Sequence, residues 1–197
     1  MHRNIVVGLA TIIGSTIFAA AAVAAEPPLS AEKWQVSHQL VQSMPWPGTK
    51  RSEGELLSAV KEAEPSGDQR LVFALGTLGA SYRAQGRYDD AEKVYRRVLE
   101  LQEKRGLANH HDIGIQHNDL GVVLTEAGRY PAAESEFKTA LQKWEKHWPM
   151  PMQTEDYAVT LHNYAVLLQK MGRAADAKAM EDKGVKIMAE RRKALGM

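Results

Sequence analysis

Apolar residues recur along this chain with the spacing of helices that bury one face. In the segment that ends at Gly86, four residues stand at i, i+3, i+4 and i+7, namely Leu75, Leu78, Gly79 and Tyr82. The next segment, from about Asp89 to Lys104, carries a second such stripe, namely Ala91, Val94, Tyr95 and Val98. Stripes of this kind are typical of amphipathic helices. They predict a helical hairpin in which Gly79 faces Ala91 and lets the two backbones approach closely.

The hairpin pattern occurs three times, and each copy has a glycine between its two helices. The turns read Gly86-Arg87-Tyr88, Gly128-Arg129-Tyr130 and Gly172-Arg173-Ala174, so the steps between copies are 42 and 44 residues. The buried positions recur in the same register, as Leu120, Gly121, Leu124, Ala133, Phe137 and Ala140 and then as Leu161, Tyr164, Ala165, Leu168 and Ala177. Glycine ends a helix readily because it adopts the left-handed conformation without steric cost. A period of this length predicts stacked helical hairpins.

Two less regular helices are predicted ahead of the first full copy. One runs from Ser30 to Met44 and is stopped by Pro45-Trp46-Pro47-Gly48, and the other runs from Ser52 to about Glu64. Residues 26–51 are therefore assigned to a degenerate first helix and a proline-rich loop, and residues 52–197 to the repeat domain. The fold class is all-α, a helical-hairpin solenoid of about four helix pairs.

The third copy departs from the pattern in its last helix. Glu181 stands where the earlier copies hold Tyr95 and Phe137, and Gly184 stands where they hold Val98 and Ala140. The last helix of a solenoid has nothing stacked on it and needs a polar outer face. Glu181 therefore indicates a C-terminal cap rather than an active-site acid.

The first 25 residues have the three regions of a secretory signal peptide. A short basic start precedes an apolar run from Ile5 to Phe18, and small residues follow up to Val23-Ala24-Ala25, directly before Glu26-Pro27-Pro28. We expect cleavage and export, most simply to the periplasm. The alternative is an uncleaved inner-membrane anchor, since Ile5 to Ala25 could just span a bilayer. The chain has no cysteine, which excludes disulfides and a lipid-modified cysteine.

Composition and charge argue against several classes of partner. The chain is 44% hydrophobic and 25% charged, which is ordinary for a folded protein. Its formal charge is +1, and without residues 1–25 it carries 24 basic and 24 acidic residues. A balanced body of this kind gives no reason to expect nucleic acid or an anionic membrane as the main partner. Membrane contact is expected only if the N-terminal segment stays uncleaved.

The histidine-rich stretch is the one candidate for metal chemistry. His110 and His111 are adjacent in a loop between copies, with His117 nearby, and Asp112 is the natural N-cap of the helix that follows. No two histidines lie four residues apart on one helix, and no nucleophile elbow, phosphate-binding loop or zinc-protease motif occurs. We therefore expect no metal, no cofactor and no enzymatic activity, with a metal-binding or hydrolytic protein as the less favoured alternative.

The anchor residues resemble those of a known family. Leu78-Gly79-x-x-Tyr82 followed by Ala91-x-x-x-Tyr95 is similar to the tetratricopeptide repeat pattern. The long period and the Gly-Arg-Tyr turn resemble the kinesin light chain variety, whose members often carry a paired Asn-Asn in the first helix. Here that pair is incomplete: Gly76-Thr77, Asn118-Asp119 and His162-Asn163 occupy its place.

The resemblance implies a right-handed solenoid whose first helices line a concave groove. Transferred onto this register, the groove positions are Phe73, Arg83, Ile115, Asn118, Val122, Thr125, Val159, His162, Val166 and Gln169. This mixture of apolar and amide side chains suits an extended or helical peptide. The resemblance thus implies a protein-binding scaffold, acting as an adaptor or assembly factor. The alternative is a self-associating structural protein of the envelope, through the N-terminal pair or the methionine-bearing last helix, so a homo-oligomer stays open.

Overall fold

The computed structural model describes residues 51–105, 111–147 and 155–194, and within them the chain forms seven helices and no strand. In chain order they are α1 (Glu53–Ala63), α2 (Gln69–Ala84), α3 (Tyr88–Lys104), α4 (His111–Glu126), α5 (Tyr130–His147), α6 (Glu155–Lys170) and α7 (Ala174–Ala194). The all-α class is confirmed. The described residues hold three complete pairs preceded by α1, and the predicted helix from Ser30 to Met44 lies outside them.

The helices pack as a stack of hairpins. Each helix contacts the next one along the chain, and α4 also packs against α6, so that first helices of successive pairs are neighbours. One continuous cluster of buried side chains runs from Leu56 in α1 to Ile187 in α7. A repeat that cannot bury its apolar face alone gains a core from its neighbours in this way.

The beginnings of α1 and α2 are fixed by side-chain caps. Ser52 and Glu55 form a reciprocal capping box, in which the Ser52 amide donates to the Glu55 carboxylate at 2.7 Å. Asp68 caps α2 by accepting from the amide of Arg70 at 2.8 Å. The prediction that Asp112 caps the following helix was wrong, because α4 already begins at His111 and Asp112 lies inside its first turn.

The three glycine turns have the same geometry. Gly86, Gly128 and Gly172 have φ values of 73°, 75° and 76°, in the left-handed region. In each turn the arginine amide after the glycine donates back to a carbonyl of the last helical turn, for example from Arg87 to Tyr82 at 2.9 Å. The glycine amide closes the inner bond of the same motif, which satisfies two carbonyls at the helix end.

Glycines inside the first helices make room for aromatic rings of the second helices. A Cβ added at Gly79 would lie 3.0 Å from the Tyr95 ring, and one added at Gly121 would lie 2.9 Å from the Phe137 ring. The expectation of a close approach at Gly79 was therefore sound, but the nearest atoms belong to Tyr95 rather than to Ala91. The third pair has Ala165 and Glu181 at these positions, so no ring has to be accommodated there.

The turn arginines join each pair to the one before it. Arg87 donates to Glu53 of α1 at 2.8 Å, and Arg173 donates to Glu134 of α5 at 2.9 Å. Arg129 pairs in the same sense with Asp89 and Glu92 of α3. In the third copy the position of Glu92 and Glu134 is taken by Lys178, which pairs with Asp182 of its own helix at 2.9 Å. The last pair therefore has no acid at the position that, in the earlier pairs, accepts from the turn arginine of the following pair.

The two residues at which α7 departs from the repeat pattern, Glu181 and Gly184, lie in the middle of the helix. Glu181 is half-buried, and its carboxylate lies 3.5 Å from the side-chain amide of Gln169, while Gly184 is buried. Val185 on the same helix keeps 50% of its surface exposed. Among the described residues, no helix is long and apolar enough to cross a membrane.

Candidate functional site: the face of the first helices

The predicted binding residues lie on α2, α4 and α6, and we call the surface they form the first-helix face. It comprises the ten groove positions Phe73, Arg83, Ile115, Asn118, Val122, Thr125, Val159, His162, Val166 and Gln169. Two cross-helix contacts hold these helices side by side. Arg83 of α2 pairs with Glu126 of α4, and Asn163 of α6 bonds to Asn118 of α4.

Apolar side chains on this face are partly accessible. Ile115, Val122, Val159 and Val166 are half-buried, which leaves shallow apolar surface along α4 and α6. Phe73 is 49% exposed and lies farther toward the N-terminal end, where it borders a cleft of about 500 Å³ between α1 and α2.

The polar groove positions differ in accessibility. Gln169 is exposed and His162 is half-buried. Asn118 and Thr125 are only 8% and 6% exposed. Thr125 donates its hydroxyl to the Gly121 carbonyl at 2.8 Å, which satisfies it within its own helix. Of the polar positions, Gln169 thus offers the most surface to a ligand.

A hydrogen-bonded row crosses this face where the family pattern places its asparagine pair. Asn163 Nδ2 donates to Asn118 Oδ1 at 3.0 Å, and Asn118 Nδ2 donates to Asp119 Oδ1 at 3.1 Å. The row fixes the amide of Asn118 in one orientation and directs it at the carboxylate. Sequence reasoning noted Asp119 and Asn163 only as members of the incomplete pairs. The signal that could have found them is the step of 44 residues that makes them equivalent positions.

Asp119 is the most perturbed acid of the face. Burial raises the pKa of its carboxyl to about 6, and the nearby charge of Asp156 from α6 acts in the same direction. The hydrogen bond from Asn118 and the positive charge of Arg83 oppose that rise without cancelling it. Carboxyl groups perturbed in this way cluster at functional sites, because burying a charge without a contact partner costs stability.

The cation nearest to Asp119 is already engaged. The Arg83 guanidinium donates from two nitrogens to the two oxygens of Glu126, at 2.8 and 2.9 Å. Burial by itself would lower the pKa of Arg83, but the pair with Glu126 outweighs burial and raises it. Bidentate geometry of this kind fixes both side chains. Arg83 and Glu126 therefore neutralise each other and leave the charge of Asp119 without a contact ion.

Of the histidines in the histidine-rich stretch, the structure describes the side chain of His117. His117 Nδ1 lies 2.7 Å from Glu136 of α5, so this imidazole joins the two helices of its own pair. Nowhere in residues 51–105, 111–147 and 155–194 do three or more metal-ligating side chains gather. His110 lies outside those residues.

Three similarities to known proteins concern the repeat region and the chain as a whole. Residues 71–146 match the tetratricopeptide repeat family. The protein KINESIN LIGHT CHAIN-RELATED 3 of Arabidopsis thaliana is 24% identical over 135 residues, which is 68% of this chain and 21% of that protein. The crystal structure of BtubC (BKLC) from P. vanneervenii covers 80% of this chain and 79% of its own, at 17% identity and a TM-score of 0.40.

Residues 71–146 thus carry tetratricopeptide repeats, and the chain resembles the kinesin light chain variety of that family. The resemblance inferred from the anchor residues is thus confirmed. Members of this family are protein-interaction modules that typically act as scaffolds rather than as enzymes. The chain spans about a fifth of the length of its plant relative, 21%.

Proposed function

We propose that this chain is exported and binds a peptide segment of a partner protein on its first-helix face, as an adaptor or assembly factor of the cell envelope. The observation that carries the proposal is the pairing of shallow apolar surface with a fixed polar row on one face. Val122 and Val166 supply the apolar surface, and Asn163, Asn118 and Asp119 supply the row. A peptide needs both, because its side chains require pockets and its main chain requires donors and acceptors.

Site-specific photo-crosslinking in the living cell tests the binding surface. A photoreactive phenylalanine analogue is placed at Val166, which is half-buried on α6, and at Val185, which is exposed on α7 as a matched control. We expect a discrete adduct with another protein from position 166 and none from position 185. Adducts of equal yield from both positions would contradict a dedicated first-helix face.

Self-association is the second candidate function, and the exposed apolar residues of the end helices favour it. Leu57 on α1 is 46% exposed and Val185 on α7 is 50% exposed. Apolar side chains at both ends of a stack suit end-to-end contact between copies. Light scattering after size exclusion separates the two functions: a monomer favours the adaptor, and a dimer dispersed by Val185→Lys favours self-association.

Export is tested separately from binding. Sequencing the N-terminus of the protein isolated from its own cells should give Glu26 or a residue close to it, because Val23-Ala24-Ala25 has the small residues that cleavage requires. A chain that still begins at Met1 and sediments with membranes would indicate the uncleaved, membrane-anchored form instead.

A further inference from the structure

Asp119 of α4 differs from its equivalents in the neighbouring pairs. The same position holds Thr77 in α2 and Asn163 in α6, so a carboxylate occurs once among three equivalent places. Groups from three other helices lie near it. Arg83 of α2, Tyr95 of α3 and Asp156 of α6 all lie close enough to interact electrostatically with it.

The hydrogen bonding of this carboxylate is incomplete. Oδ1 accepts from Asn118 at 3.1 Å. Within the described ranges no donor contacts the other oxygen, and the side chain is half-buried rather than sealed. A carboxylate can accept about four hydrogen bonds through its two oxygens, so most of its capacity is unused. Asn118 also accepts a hydrogen bond from Asn163, which fixes the amide group that donates to the Asp119 carboxylate.

The charges around Asp119 favour a positively charged ligand over a negatively charged one. Arg83 is committed to Glu126, and burial raises the pKa of the Tyr95 hydroxyl, which therefore stays neutral. Asp156 of α6 adds a second negative charge nearby. An anionic ligand would meet two carboxylates here, whereas a cation would gain a charge-assisted hydrogen bond in a partly desolvated place.

We propose that Asp119 is the anchor of a subsite that takes a basic side chain, a lysine ammonium or an arginine guanidinium, from the peptide bound on the first-helix face. The inference rests on the proposed function, since the basic group is part of that peptide. Val122 lies three residues farther along α4 and presents apolar surface beside the carboxylate. The methylene stem of a lysine or arginine can cover such surface while its head reaches the acid.

Selection from a random dodecamer library displayed on phage, against the purified full chain, tests both levels of the proposal. We expect selected peptides to share one basic position. In fluorescence anisotropy, replacing that residue by norleucine should weaken binding to the natural chain about tenfold or more, the size expected for a hydrogen bond to a charged group. On Asp119→Asn the lysine and norleucine peptides should bind alike.

Asp182→Asn is the matched control, because it removes one negative charge from the exposed side of α7 by the same substitution. It should keep the preference for lysine. Binding of the lysine peptide should also fall as the pH drops from 7.5 to 5, since protonation of Asp119 removes the charge, and the fall should be absent in Asp119→Asn. Circular dichroism at each pH confirms that the chain stays folded.

The possible failures are distinguishable. If selection yields peptides without a basic position, or if Asp119→Asn keeps the full preference for lysine over norleucine, the subsite is refuted and peptide binding stands. If no peptide is enriched over a protein-free control, the proposed function itself fails and the subsite with it.

Discussion

The contact between Gly121 and Phe137 makes a quantitative prediction about packing between paired helices. A Cβ at residue 121 would lie 2.9 Å from one ring atom of Phe137 and 3.0 Å from two others. The ring has little room to retreat, because Phe137 has no exposed surface and stacks on Tyr164 of the next pair at 5.8 Å between centroids. Gly121→Ala therefore forces either the ring or the helix to move.

Gly76 provides the matched control. It lies inside α2 as Gly121 lies inside α4, but a Cβ at residue 76 would meet nothing within 4 Å. Replacing glycine by alanine inside a helix stabilises it by roughly 0.5–1 kcal/mol through backbone entropy. Overpacking of a filled core costs roughly 1–3 kcal/mol. We thus expect Gly76→Ala to gain about 0.5–1 kcal/mol and Gly121→Ala to lose up to about 2 kcal/mol.

Urea unfolding of the two variants beside the natural chain measures the difference, which should show as shifted midpoints at unchanged slopes. A third variant locates the cause: Phe137→Leu should cost less in the Gly121→Ala background than alone, because the smaller side chain relieves the overlap. If Gly121→Ala stabilises the chain as much as Gly76→Ala does, the ring moves aside freely and the close contact constrains nothing.

Three further changes test other features. Arg129→Ala should lower the unfolding free energy slightly by removing the ion pairs with Asp89 and Glu92, and the loss should shrink in 1 M salt; a salt-independent loss would point to packing instead. Gln102→Leu should stabilise by about 1–2 kcal/mol in thermal unfolding, because this side chain is 1% exposed and its amide lacks a hydrogen-bond partner among the described residues; a lower melting temperature would reveal a partner. Asp119→Asn should stabilise by about 1–3 kcal/mol at pH 8, with no difference near pH 3. Because the folded-state pKa of Asp119 is raised, its ionised form lowers the unfolding free energy. This loss grows as the pH rises through about 4 to 6 and persists above that range. A difference between Asp119→Asn and the natural chain that does not depend on pH would contradict the raised pKa.

The repeat register could be predicted from sequence because its determinants are local. Gly86, Gly128 and Gly172 end helices through backbone conformation, and the apolar stripes follow from helical spacing alone. Those signals located the pairs and the register of their buried faces. The helix before Ser52 and the domain boundaries at residues 26 and 52 stay predictions.

The candidate site was less predictable because it depends on which helices come together. Asn118 was expected to face a ligand, yet it is largely buried because Asn163, 45 residues away, bonds to it. Asp119 owes its raised pKa to burial among α2, α3 and α6, which no spacing within α4 reveals. Sequence located the face. The charges and hydrogen bonds across it required the packed structure.

The direction of the arginine contacts bears on the order in which the chain is made. Arg87, Arg129 and Arg173 each pair with acids of the preceding pair, and so with residues that leave the ribosome earlier. Chains generally fold from the N-terminus during synthesis. A newly emerged turn arginine thus finds its acceptor in the preceding pair already in place, and Arg87 and Arg173 gain a second acceptor three residues later in the chain. A partly emerged chain that pauses at a repeat boundary therefore has its turn arginines already matched, whereas Arg83 stays unpaired until Glu126 of the following pair has emerged.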